Sequence, residues 1–94
     1  MASARTRYLE VAEREGKKAL AAVAIEADTA GVAFSSLLVS DGQPWKAIIR
    51  AARAKRCELI VMASHGRRGI SALLLGSETS KVLAHSKVPV LVCR

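Results

Sequence analysis

Two glycine-bearing segments hold the residue types most able to do chemistry in this 94-residue chain: Ala63-Ser64-His65-Gly66-Arg67-Arg68-Gly69 and, a little further on, Gly76-Ser77-Glu78-Thr79. An apolar run, Leu59-Ile60-Val61-Met62-Ala63, enters the first, and a helical pattern, Lys81-Val82-Leu83-Ala84-His85, leaves the second. Strand, glycine-rich loop and helix start is the order that turns backbone N–H groups and a positive helix end toward a phosphate. Gly66 and Gly69 accept positive φ and have no side chain to hold an anion away. Ser77, after Gly76, is the expected N-cap. Its hydroxyl can accept from a first-turn N–H or donate to a phosphate oxygen. Arg67 and Arg68 offer charge-assisted hydrogen bonds. The same spacing also suits a purely structural loop with a capped helix behind it, and spacing alone leaves both readings open. No Gly-Lys-Ser/Thr follows the glycines, so this is not a Walker loop, and it is not GxGxxG either.

Other polar residues have plainer readings. Ser64 and Ser77 are the better functional candidates, while Glu78 and Thr79 contribute through first-turn N–H groups. His65 is read first as a partner of the loop backbone, His85 as a cation near a helix C-terminus, and Trp45 as a core anchor. No serine, histidine and acid can be placed together as a nucleophile with its base, so catalysis is not expected. Cys57 and Cys93 lack CxxC spacing and read as reduced, partly buried thiols rather than a metal or redox pair.

Composition bounds the answer. Hydrophobic residues make up 51% of the chain, enough for a core, and aromatics only 3%, so that core must be aliphatic. No apolar run approaches the roughly 18 residues that span a bilayer. Met1-Ala2-Ser3-Ala4-Arg5 lacks the apolar stretch of a secretory signal, and a cytoplasmic location is the default expectation. The net charge of +7, from 15 basic and 8 acidic residues, favours anionic partners. Nucleic acid is not expected, because the basic residues are spread along helix faces with no aromatics interleaved for stacking.

The elements that must position the loop follow from periodicity. Apolar and small residues at Tyr8 or Leu9, Ala12, Gly16, Ala19 or Leu20, Val23 and Ala27 predict a helix from about Thr6 to Thr29, ending near Gly31. Gly16 inside it costs up to about 1 kcal/mol against Ala, which implies close packing there. A strand is expected over Val32 to Val39. The turn Asp41-Gly42-Gln43-Pro44 should open a helix with Trp45, Ile48, Ile49 and Ala52 inward and Lys46, Arg50 and Arg53 outward. Strands over Leu59–Ala63 and Val90–Cys93, with a helix from about Ser77 between them, complete a strand–helix–strand–helix–strand order. That order belongs to a parallel α/β sheet whose ligands sit at the strand carboxyl ends.

With these residues in place, the stretch from Glu58 to Arg94 resembles the C-terminal half of a universal stress protein domain. That family's signature runs glycine, two residues, glycine, nine residues, then Gly-Ser or Gly-Thr. Here Ala63, Gly66 and Gly76-Ser77 stand at that spacing, and Val88-Pro89-Val90-Leu91-Val92 resembles the closing strand. The resemblance extends from about Glu10 onward. It implies a three-layer α/β fold with a mostly parallel twisted sheet of the adenine-nucleotide alpha-hydrolase-like type. It also implies a stress-response regulator that binds ATP, with or without magnesium, through Ala63 to Gly69 and Gly76 to Thr79, and it implies a homodimer formed through Val90–Cys93.

The chain departs from the family pattern in two ways. Ala63 replaces the first glycine, placing a methyl near the phosphate path. The family's opening strand, helix and strand are not found, so residues 1–94 read as one domain incomplete at its N-terminus. In the family sheet order, which resembles 3-2-1-4-5, two absent strands at about 4.8 Å each would leave a gap near 10 Å. A fragment, a repacked chain or strands borrowed from a partner is then expected. Two functions remain open at this point: an ATP-binding regulatory module, or an interaction protein that keeps the fold for dimerisation without binding nucleotide.

Overall fold

The computed structural model describes residues 3–64 and 75–94. The chain divides into two compact units, residues 1–40 and 41–94.

The first unit is built on α1 (Ala4–Thr29). Ser3 caps it, its hydroxyl accepting from the Thr6 N–H at 3.1 Å. Half-covered positions fall at Gly16, Leu20, Ala24 and Ala27, one stripe at helical spacing. The stripe corrects the expected inward Val23, which is 51% exposed: the covered position is its neighbour Ala24, one i,i+4 step on from Leu20. A Cβ on Gly16 would lie 2.6 Å from Cδ1 of Leu38, so the glycine is where the following segment passes closest. Glu13 and Lys17 pair at 3.0 Å, both side chains exposed. The helix ends in a Schellman motif. Gly31 takes φ +69, its N–H donates to Asp28 O, and the Val32 N–H donates to Ala27 O.

The expected strand Val32 to Val39 is not formed. Those residues have no regular secondary structure, and Val32, Leu37 and Val39 are exposed. β-branched and apolar residues favour an extended chain, but a strand also needs a neighbour to exchange N–H and C=O bonds. Among the described residues none lies beside this segment, and the sheet has two strands rather than three.

The second unit contains α2 (Pro44–Ala54), β1 (Ile60–Ala63), α3 (Ser77–His85) and β2 (Val90–Cys93). β1 and β2 run parallel, with Ile60 opposite Val90 and Ala63 opposite Cys93. This is the α/β arrangement with a parallel sheet expected from the sequence. Its core is Ala52, Ile60 and Val82, with Trp45, Ile48, Ile49, Met62, Val88 and Val90 packed against them. Pro44 begins α2, where its missing N–H costs nothing and its fixed φ suits the first turn. Asp41 Oδ1 accepts from the Gln43 N–H at 2.9 Å and braces the turn before it.

α2 also closes in a Schellman pattern, with Arg56 N–H to Arg53 O and Cys57 N–H to Ala52 O. The left-handed position is held by Arg56, at φ 54, rather than by glycine. A side chain in that region costs about 1 kcal/mol or more. Arg56→Gly is therefore expected to raise the melting temperature by about 4–8 °C. A calorimetric scan showing no rise would mean that the arginine side chain compensates for the strain.

Candidate functional site

The loop that drew attention in the sequence leaves the carboxyl end of β1 and returns at the N-terminus of α3. The structure brings those two ends together. Ser64 N–H donates to Cys93 O at 2.7 Å, extending the β1–β2 ladder by one bond, and Gly76 N–H donates to Ser64 O, also at 2.7 Å. Thr79 Oγ1 donates to Ala63 O at 2.8 Å. Ser64 and Thr79 are buried, at 7% and 3% exposure. Strand end and helix start are thus tied by two hydrogen bonds, one from backbone and one from a hydroxyl. His65, Gly66, Arg67, Arg68 and Gly69 lie outside the described residues.

Gly76, not Ser77, is the N-cap of α3, with φ −61 and ψ 152. The reason lies in its two backbone groups. Its N–H is held by Ser64 O outside the helix, while its C=O accepts the first helical bond from the Ser80 N–H at 3.0 Å. Ser77 becomes the first helical residue, and the amides of Ser77, Glu78 and Thr79 form the first turn, which has no partner within its own helix. That turn carries the partial positive charge of the helix end. Its position at the carboxyl end of a parallel strand is where ligands bind in open α/β sheets.

The side chains of Glu78 and Thr79, given only a backbone part by sequence reasoning, prove to be structural. Thr79 holds Ala63 O, as above. Glu78 Oε2 accepts from the Trp45 N–H at 2.9 Å, capping α2 from another helix. Gln43, the N-cap of α2, makes no side-chain cap of its own, so Glu78 supplies the missing acceptor. One carboxylate thereby sits at two helix N-termini, both favourable for negative charge. The sequence signal was the poor capper before Pro44; which acid would answer it was not readable.

Around this cap the indole of Trp45 lies 4.4 Å from the ring of His85, tilted by 35°, with Lys46 Nζ 5.6 Å from the indole centroid. His85 Nδ1 is 2.9 Å from Lys81 O. The thiols of Cys57 and Cys93 are unpaired and exposed, not partly buried as expected: Cys57 follows the helix cap at the surface, and Cys93 alternates along β2 onto its open face with Leu91. Among the described residues no three His, Cys, Asp or Glu side chains gather as metal ligands. No helix among them is long and apolar enough to cross a membrane.

The model of the universal stress protein family matches residues 1–94 of this chain. The chain belongs to the universal stress protein family. It is 36% identical over 88 residues to a universal stress protein of Thermus aquaticus, encoded in the QAH/OAS sulfhydrylase 3' region, covering 94% of this chain and 59% of that protein. Over 85 residues it is 34% identical to a universal stress protein of Methanocaldococcus jannaschii, covering 90% and 49%. Over 82 residues it is 34% identical to YxiE of Bacillus subtilis, covering 87% and 55%. The chain thus spans about half the length of these three relatives. Membership supports a role in the stress response and agrees with the parallel α/β fold.

Proposed function

We propose that this universal stress protein is a cytoplasmic, non-enzymatic regulator that holds the phosphates of ATP at the junction of β1 and α3. The observation that carries the reading is the Gly76 N–H to Ser64 O bond. It sets the first-turn amides of α3 beside the strand end, the geometry that suits a phosphate. Residues Ala63 and Ser64, the loop from His65 to Gly69, and Gly76 to Thr79 form the phosphate side of the site. The Thr79 hydroxyl and Glu78 carboxylate are engaged in the frame, and the ligand is held by first-turn backbone amides, by the Ser77 hydroxyl and by Arg67 and Arg68. Magnesium, when present, would reach the site with the nucleotide.

Calorimetric titration with ATP, with and without magnesium, tests this. Saturable heat is expected. Gly76→Val should lower affinity by at least about tenfold, since its branched side chain enters the anion path. The fold should survive, because an N-cap in the extended region accepts any L-residue. Equal affinity in that variant, or no heat with the parent protein, overturns the reading.

A second reading is favoured by a different observation. β2 pairs with β1 alone among the described strands, and Leu91 on it is 53% exposed. With Ala63 crowding the phosphate path, the domain would then serve as a dimerising interaction module. Absence of ATP heat together with a stable dimer is the outcome that selects it.

A further inference from the structure

A groove of about 200 Å³ opens where α2 and α3 both end, at the amino ends of the strands. Ile60 lines it. Ser64, at the phosphate junction, lies four residues along the same strand direction, roughly 13 Å away at about 3.3 Å per residue. The groove therefore does not rest on the nucleotide reading. Its apolar lining is Ile49, Ala52, Ile60 and Val88, and its basic lining is Arg53, Arg56 and Lys87. No acidic side chain lines it, and none of the three cations has an ion-pair partner among the described residues.

A helix C-terminus attracts cations for its own sake, and that accounts for Arg53 in the last turn of α2. It does not account for the other two. Lys87 lies beyond the end of α3. Arg56 occupies a left-handed position that glycine fills without strain, and backbone strain of this kind gathers at ligand clamps. Three unpaired cations around a small apolar floor are complementary to one chemical class: a carboxylate on a short alkyl chain. At the packing density of protein interiors, about 200 Å³ accepts roughly six to eight carbons.

We propose that this groove binds a free medium-chain carboxylate, its alkyl chain on Ile49, Ala52, Ile60 and Val88 and its head group held by Arg53, Arg56 and Lys87. The test is titration with octanoate, followed by calorimetry and by amide shifts in NMR spectra, with acetate, inorganic phosphate and 1-octanol as comparison probes. Octanoate should shift the amides of Ala52, Cys57, Ile60 and Val88 and bind at least about tenfold tighter than each of the other three. Losing one charge-assisted contact corresponds to about tenfold in affinity, so Arg56→Gly and Lys87→Gln should each weaken octanoate by about that factor. Arg56→Gly keeps the fold, because it relaxes the helix cap. Equal binding of 1-octanol would show that the cations play no part, and equal binding of acetate or phosphate would reduce the groove to a general anion patch. Either result overturns the proposal, as does octanoate affinity unchanged in both variants.

Discussion

Val82→Asp is expected to abolish cooperative folding of residues 41–94. Val82 is fully enclosed, at 0% exposure, and among the described residues the core around it has two other buried apolar side chains, Ala52 and Ile60. A carboxylate there would lie among the apolar side chains of α2, β1 and α3, and an unpaired buried charge costs several kcal/mol even after relaxation. A unit this small has little stability to lose. Circular dichroism on heating should show a broad, shallow change in place of a transition. Val82→Ala, which removes two carbons and leaves a void, should cost about 2 kcal/mol and keep a sharp melt. A sharp melt for Val82→Asp within a few degrees of the parent protein would contradict this account of the core.

The sequence carried the elements better than their assembly. α2, α3 and β2 are marked by local chemistry: a proline at a helix start, apolar residues at Trp45, Ile48, Ile49 and Ala52, and an aliphatic run after Pro89. Gly16 announced a close approach because glycine inside a helix is costly, and Leu38 is the residue that approaches. Val32 to Val39 misled for a physical reason. Its composition favours an extended chain, but strand formation depends on a partner that is often remote in sequence, and no composition reports whether the partner is there. The end of α2 was unreadable in the same way, since Arg56 fills a position normally signalled by glycine.

At the candidate site, the glycine spacing showed which two segments belong together, and the Gly76–Ser64 bond joins them. It did not show which side chains would be consumed in holding the frame. Thr79 and Glu78 were expected to act through their amides, yet the Thr79 hydroxyl carries Ala63 O and the Glu78 carboxylate carries the Trp45 amide. Both are long-range answers to orphaned backbone groups. Such groups must find partners, but which side chain answers is settled only when the helices pack.

Leu91→Lys is expected to weaken self-association by more than about tenfold. β2 offers Val90–Cys93 with one edge paired to β1, and among the described residues the other edge is open. An open, apolar, uncharged edge invites another strand. Pairing β2 with its own copy, antiparallel across a two-fold axis, satisfies both edges with one self-complementary patch. Symmetry also sets the size of the effect. Each substitution appears twice in the dimer; because Leu91 is 53% exposed, about half of the 1.5–3 kcal/mol for a fully buried leucine is at stake per copy, and twice that, about 1.6–3.2 kcal/mol, corresponds to more than tenfold. Like charges facing each other across the axis add to it. Light scattering across micromolar concentrations should show the parent protein as a dimer and the variant as a monomer. ATP heat should be unaltered, because the first-turn amides of α3 do not involve the Leu91 side chain. A parent protein that stays monomeric throughout that range would remove the edge-pairing argument, and a variant that stays dimeric would place the interface elsewhere on the surface.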